Sequence, residues 1–492
     1  MSTEPCTTPA ADELWRWSAA ALAAAIRARE VSSVEAVTAC LERTAAVNPQ
    51  VNALVDVQAE RALAAAREAD RAVASGGPAG ALHGVPISIK DNVDEAGLRN
   101  SGGLRVTEGT VAAHDAPVVA NLRAAGAISI GRSNVPAFSL RWFSDNDVYG
   151  RTLNPFDPAK TPGGSSGGAA AALAAGMVPL AHGNDVGGSV RYPAHVCGVM
   201  GLRPTVGRIP SFVEASEHLP GLPPSPLLMA VEGVLARTVA DLALGLEAMA
   251  VPDLRDPACV PAPFTRSAPV ERGATVGLVR GTGEPALDPS HDRALDVAAA
   301  WLRDAGHVVE ELSLPQLAEA HALWIVLLHT EMQLDLSTFE ALGGEAIARS
   351  MRNTFALMEE RFGPASLEGY VRAHARRTAL ITEVQDVLSR HAAILMPASG
   401  AVAPDHDADL EAATAHALIA AQWPNGSVPV LGLPALTLPT GVEDGLPTGV
   451  QLLGGRFGES ALLDLAEAIE ARAPRVAPID PVTASPARAA AA

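Results

Sequence analysis

This sequence predicts an α/β fold, with a β-sheet covered by helices on both faces. Two observations carry the expectation, and a third bears on its setting. From about residue 81, short β-rich runs alternate with Ala-rich helical runs, the pattern of a sheet layered between helices. Hydrophobic residues make up 48% of the chain and charged residues 18%, which suits a sizeable core and excludes general disorder. Cys6, Cys40, Cys197 and Cys259 are far apart with no Cys-x-x-Cys pair, so neither a disulfide framework nor zinc is signalled, and a reducing cytoplasm fits.

The elements follow in order. Residues 1–11 read as a flexible start, and "MSTEPCTTPAADELW" lacks the basic start and apolar run of a secretory signal. Residues 12–80 read as a helical arm. Ser18 caps a run through Arg29, Ser32 and Glu35 form a capping box, and that second helix is expected to end at Asn48-Pro49. "VQAERALAAAREADRAVASGG" is a third, amphipathic helix. "GVPISIKD" begins the β-rich core of 81–250, where "VVANLRAAGAISIGRSN" and "AALAAGMVPLAHGND" each read as helix then strand. Residues 205–232 and 252–290 are Pro/Gly-rich and read as loops. "ATVGLVRG" and "AAILMPAS" are strands flanking the mostly helical 290–395, and 481–492 reads as a disordered tail. At 492 residues the length allows about three domains or one large α/β domain.

The net charge of −19 repels phosphate backbones and anionic lipids, so neither nucleic acid nor a membrane surface is expected as a partner. The uncharged stretch 161–184 raises a membrane question, but its Gly, Ser and Pro content favours a buried loop and short helix.

Three segments could carry chemistry. Of 36 basic residues only Lys90 and Lys160 are lysine. Lys90 lies in the apolar run "HGVPISIKDN", where burial would press its amine toward neutrality and make it a base. Arginine cannot fill that role, because it does not deprotonate. The other reading is an ion pair with Asp91. In "TPGGSSGGAAAALAAG" (161–176), glycines flank Ser165 and Ser166. This loop admits a phosphate cradle, though the Lys-Ser/Thr ending of a P-loop is missing, or a flexible connector. A nucleophile elbow at Ser165 would need a preceding strand, and "NPFDPAKTP" is a poor one. In "GNDVGGSVRYP" (183–193), two glycines before Ser189 would expose successive N–H groups, as an oxyanion hole requires, and Asp185 and Arg191 bracket the turn. A tight turn with a structural salt bridge is the other reading.

Taken together and in this order, the three segments resemble the amidase signature family. The likeness extends to "CGVMGLRPTVGRIP" (197–210), "EGVLARTVADLALGLEAMA" (232–250) and "GLPALTLPTGVEDGLPTGVQLLGG" (432–455), so it spans about residues 12–475. The resemblance implies a single amidase-signature domain over 12–480, built on one large mixed β-sheet covered by helices on both faces, in which 251–400 is a variable substrate-side region and 401–480 returns to the sheet. It implies Ser189 as nucleophile, Lys90 as base and Ser165, 24 positions before Ser189, as the bridge between them, held across a cis Gly164–Ser165 peptide. It further implies an oxyanion hole from the N–H groups of Val186, Gly187, Gly188 and Ser189, support from Gly164, Asp185 and Arg191, and no metal or cofactor. Most members carry Thr or Ser where this chain has Asn184. An Asn there is similar to a subgroup that includes nylon-oligomer hydrolases, which makes secondary amides more plausible. Phe138, Trp142, Tyr192 and Asn184 are candidates to face substrate, from the segments "FSLRWFSDNDVYG" and "GNDVGGSVRYP", and "LWIVLLHTEM" (323–332) is a further candidate wall.

Other groups read as structural. His83 and His182 stand near the motifs without completing a Ser-His-Asp set, "PDHDAD" (404–409) reads as a solvated acidic loop rather than a metal site, and Cys197 reads as packing on a helix. The expected activity is hydrolysis of amides, with carbamates also open, by a cytoplasmic monomer or homodimer acting on a small molecule. The alternatives are a glutaminase subunit of a tRNA-charging complex and an esterase using Ser165 with a histidine.

Overall fold

The computed structural model describes residues 13–77, 79–107, 109–213, 221–283 and 285–483. The helix Ala19–Ala28 starts where Ser18 accepts the Ala21 N–H, and Ser33–Val51 starts at the Ser32–Glu35 capping box. This second helix does not stop at Asn48-Pro49 but runs to Val51. Asn48 closes the end instead. Its side-chain oxygen accepts the N–H groups of Ala53 and Leu54 at 2.8 and 3.0 Å, and Asn52 takes the left-handed cap. The helical reading of the arm also misses a short strand, Leu54–Val57, which gains its partners only by pairing with residues 131–133.

The strands in chain order are β1 (Leu54–Val57), β2 (Pro86–Lys90), β3 (Ile128–Ser133), β4 (Asp145–Asn146), β5 (Gly150–Arg151), β6 (Leu180–Asp185), β7 (Met200–Arg203), β8 (Val231–Ala236), β9 (Thr275–Leu278), β10 (Val308–Glu311), β11 (Ala393–Pro397), β12 (Ala435–Glu443) and β13 (Leu446–Leu453). Among the described residues eleven of them form one sheet in the order β1-β3-β2-β6-β8-β7-β12-β13-β11-β9-β10, and β4 pairs with β5 alone. The sheet is mixed. β3, β2 and β6 are parallel, β8, β7, β12 and β13 run antiparallel through the centre, and β11, β9 and β10 are again parallel.

Alternation along β2 sends Ile87 and Ile89 into a core with Leu22, Ile26, Leu122 and Leu246. Ser88 and Lys90 therefore point to the other face. There the helix Gly167–Ala174 is buried throughout, because its run of alanines, and a glycine at 168 with no room for a Cβ against Asn134, lets it press against the sheet. A third apolar cluster around Trp324, Leu328, Met351 and Val428 is built by the helices Gln316–Met332, Gly344–Phe362 and Trp423–Leu431.

The stretch 205–232 is less loop-like than its composition suggests, since it holds the helix Pro224–Met229 and the start of β8. The segments 1–11 and 484–492 lie outside the described residues. Ile479 and Val482 are tied to the core by N–H bonds to the Ala174 and Pro155 carbonyls. Among the described residues no helix is long and apolar enough to cross a membrane.

Candidate active site

The site forms where β2 and β6 end and the chain turns back over the sheet. Lys90, the last residue of β2, is fully buried. Its Nζ lies 2.7 Å from Ser165 Oγ and 2.6 Å from Asn184 Oδ1. Burial pushes its pKa down to about 7, although Glu232 and Asp185 draw it upward. Asp91 is no ion-pair partner for it. That carboxylate accepts from Ser101 and from Arg132 at 3.4 Å.

Ser165 precedes the helix Gly167–Ala174 and follows a cis Gly164–Ser165 peptide. The Ser166 N–H donates to the Ser189 carbonyl at 3.2 Å, which ties the two serine loops together.

The turn after β6 folds around Asp185. Its carboxylate accepts the Gly188 N–H at 3.0 Å, the Val190 N–H at 3.1 Å and two Arg191 nitrogens at 3.0 Å, with Arg203 at 3.3 Å. Burial alone would raise its pKa, but Arg191 and Arg203 outweigh that and hold it well below the usual carboxylate range. Because the Gly188 N–H is committed to Asp185, the remaining oxyanion candidates are the N–H groups of Val186, Gly187 and Ser189. Two indoles set the opposite side of the turn. Trp324 Nε1 donates to the Val186 carbonyl at 2.8 Å and Trp142 Nε1 to the Gly187 carbonyl at 2.9 Å, with the two rings stacked at 5.9 Å. Gly187 has no space for a side chain, since a Cβ would lie 2.6 Å from the Trp324 ring.

A cleft opens onto Ser189. Trp142, Val186 and Trp324 line it beside the serine, and Leu328, Met351 and Ile419 continue the apolar wall. Arg141 and Asp409 form a polar edge, paired at 2.7 and 2.6 Å. The "PDHDAD" loop is thus not simply solvated, because Asp409 is buried in this pair and Asp407 bonds both Arg141 and Arg151. Among the described residues no group of His, Cys, Asp and Glu could hold a metal.

A family model described as Amidase matches residues 35–463. The chain belongs to the amidase family. It is 40% identical over 465 residues to the indoleacetamide hydrolase of Bradyrhizobium diazoefficiens, covering 94% of this chain and 87% of that protein. It is 32% identical over 485 residues to a glutamyl-tRNA(Gln) amidotransferase subunit of Chloroflexus aurantiacus, covering 93% and 97%. Among solved structures, 6-aminohexanoate cyclic dimer hydrolase complexed with substrate superposes with a TM-score of 0.80 at 27% identity, covering 95% of this chain and 99% of that one. This amidase is an amidohydrolase with an α/β fold.

Three expected pocket residues of the amidase sit elsewhere. Tyr192 is fully buried with Ala-rich helix partners and is absent from the cleft wall, because its place early in the helix Arg191–Val196 turns it into the core. Phe138 is not in the cleft wall and stands edge-on to Phe339 at 5.0 Å. Asn184 turns its amide to Lys90 and to Asn92, whose Oδ1 accepts its Nδ2 at 3.0 Å. His182 bonds Glu232 at 2.8 Å and His83 the Ala69 carbonyl at 3.0 Å, and neither completes a triad with a serine. Cys197 caps a helix with its thiol against the Pro162 carbonyl, and burial pushes that thiol up. Sequence reasoning missed the roles of Asn92, Arg203 and the Trp324 indole. Arg203 is visible in "GLRPT" and Trp324 in "LWIVLLHTEM", but nothing local marks either as a partner of the 185–187 turn.

Proposed function

We propose that this amidase cleaves the C–N bond of carboxamides carrying an aryl or similarly broad apolar group, through an acyl-enzyme on Ser189. The observation that carries this reading is a buried amine, pressed toward neutrality, 2.7 Å from Ser165 beside a tryptophan-lined cleft that reaches Ser189. A neutral Lys90 donates one N–H to Asn184 and keeps a lone pair for the Ser165 hydroxyl proton. Ser165 in turn takes the proton of Ser189 as Ser189 Oγ attacks the carbonyl carbon. The developing oxyanion is received by the free N–H groups of the 186–189 turn. The proton returns along the same path to the leaving nitrogen, which departs as a neutral amine or ammonia. Water then repeats the sequence and frees the acid. A carbamate presents the same carbonyl, so urethanes fall within this chemistry.

The likeness to an indoleacetamide hydrolase supports an arylacetamide substrate, and the acidic charge supports a small molecule rather than a nucleic acid as the partner. The alternative of a glutaminase in a tRNA-charging complex has relatives in its favour, but a cleft walled by Trp142, Trp324, Leu328 and Ile419 suits an aromatic group better than the glutamine carboxamide.

The test is turnover of indole-3-acetamide, and of a matched 4-nitroanilide and 4-nitrophenyl carbamate, by wild type and Ser189→Ala. Turnover lost in the variant supports the reading. Amide hydrolysis retained by Ser189→Ala, or glutamine as the one amide cleaved, sinks it.

A further inference from the structure

The aromatic cleft carries a hydrogen-bond acceptor that the hydrolytic machinery does not use. His329, on the helix Gln316–Met332, lines the cleft and stands edge-on to Trp324 at 5.5 Å and to Phe355 at 6.0 Å. Its Nδ1 lies 2.9 Å from the Ile325 carbonyl oxygen. A carbonyl only accepts, so the ring proton sits on Nδ1 and Nε2 is left as a lone pair. No described residue donates to that nitrogen. Burial holds the ring's pKa down to about 4, so it stays neutral at physiological pH. The Thr354 hydroxyl, also in the cleft wall, donates its proton to the Ser350 carbonyl at 2.9 Å, which leaves its oxygen also as an acceptor. A purely apolar substrate would leave both acceptors without a donor.

Trp324 relates this acceptor to the chemistry. Its nitrogen holds the Val186 carbonyl at the turn while its ring touches His329. Ser189 and His329 thus border one cleft, with the Trp324 indole between the turn and the imidazole. We infer, resting on the aryl-amide reading above, that His329 selects substrates whose aromatic group bears its own donor, a ring N–H or phenolic O–H, which is given to Nε2 while the amide carbonyl lies at Ser189. His329 is thus a specificity-determining residue, placed in sequence far from the serine loops.

The experiment compares kcat/KM for indole-3-acetamide and for benzothiophene-3-acetamide, which replaces the N–H by sulfur at nearly constant shape. Wild type is expected to favour the indole by about tenfold or more, since a site built to bond a donor rejects the analogue that lacks it. In His329→Leu the ratio is expected to fall to near one, and His329→Gln, which still offers an acceptor oxygen, should keep part of it. The ratio is taken within each variant, so a partly unfolded preparation does not alter it. A wild-type ratio near one, or a ratio unchanged in His329→Leu, overturns the role of His329 while leaving aryl-amide hydrolysis standing. Failure of wild type to hydrolyse any of the aryl amides overturns the proposed function itself, and this selection with it.

Discussion

Asn184 Oδ1 lies 2.6 Å from Lys90 Nζ and is aimed there by Asn92, which pairs with the rest of the Asn184 amide. An amide oxygen at that distance stabilises the ammonium more than the neutral amine, because a charge-assisted bond is the stronger one. Asn184→Leu should therefore move the acidic limb of the pH–rate profile to lower pH. It should also reduce kcat, by about tenfold to a hundredfold as Lys90 loses its orientation. An unaltered pH profile would show that Asn184 does not act through Lys90.

The proposed base implies a direction for pH dependence. With Lys90 at about 7 and active only when neutral, kcat/KM should rise with pH up to roughly 7 and level off above about 8. Lys90→Arg places a permanent cation against Ser165, and a loss of about a thousandfold or more is expected. A profile flat from pH 5 to 9 in wild type would remove Lys90 from the role.

The same burial affects stability. Between about pH 7 and 10 the unfolded chain holds a proton on this lysine that the folded chain lacks, so stability from this group rises with pH, by about 1.4 kcal/mol per unit. Urea unfolding of wild type and Lys90→Met across this window should show wild type gaining stability relative to the variant as pH rises. Parallel curves would contradict the depressed amine.

Trp324→Phe keeps an aromatic, though smaller, side chain and deletes the donor to the Val186 carbonyl. The turn should then hold its N–H groups less firmly toward the carbonyl oxygen, and kcat should fall about tenfold in addition to any rise in KM from the smaller cleft wall. A change confined to KM would assign Trp324 to substrate packing alone.

Asp185 should matter for folding before it matters for catalysis. Asp185→Ala leaves Arg191 and Arg203 buried without their counter-charge, and breaking such a pair costs about 3–5 kcal/mol. The expected readout is a large drop in urea midpoint, matched by Asp185→Ala,Ser189→Ala, since the loss does not depend on the reaction.

The chain of 492 residues makes some of this legible and hides the rest. Ser18, Ser32 and Glu35 mark their helix starts because a cap bonds N–H groups only two or three residues away. The helix end at Pro49 misleads because Asn48 reaches forward to Ala53 and Leu54 and closes the helix in a way no propensity records. β1 is hidden because four residues make a strand only when a neighbour 70 or more positions on supplies the ladder.

The sequence by itself determined the order and spacing of Lys90, Ser165 and Ser189, and the glycines that let their loops turn. These depend on local backbone freedom and on residue chemistry, and both are written within short stretches. Tertiary structure alone decided that Lys90 is buried enough to approach neutrality, that Asn184 faces it rather than the cleft, and that Asp409 joins Arg141 across 268 positions. It also decided that Tyr192 packs inward while Trp324 closes on Val186 from 138 positions away. Desolvation, and contacts between distant segments, arise from how the helices pack over the sheet, so no single stretch of sequence encodes them.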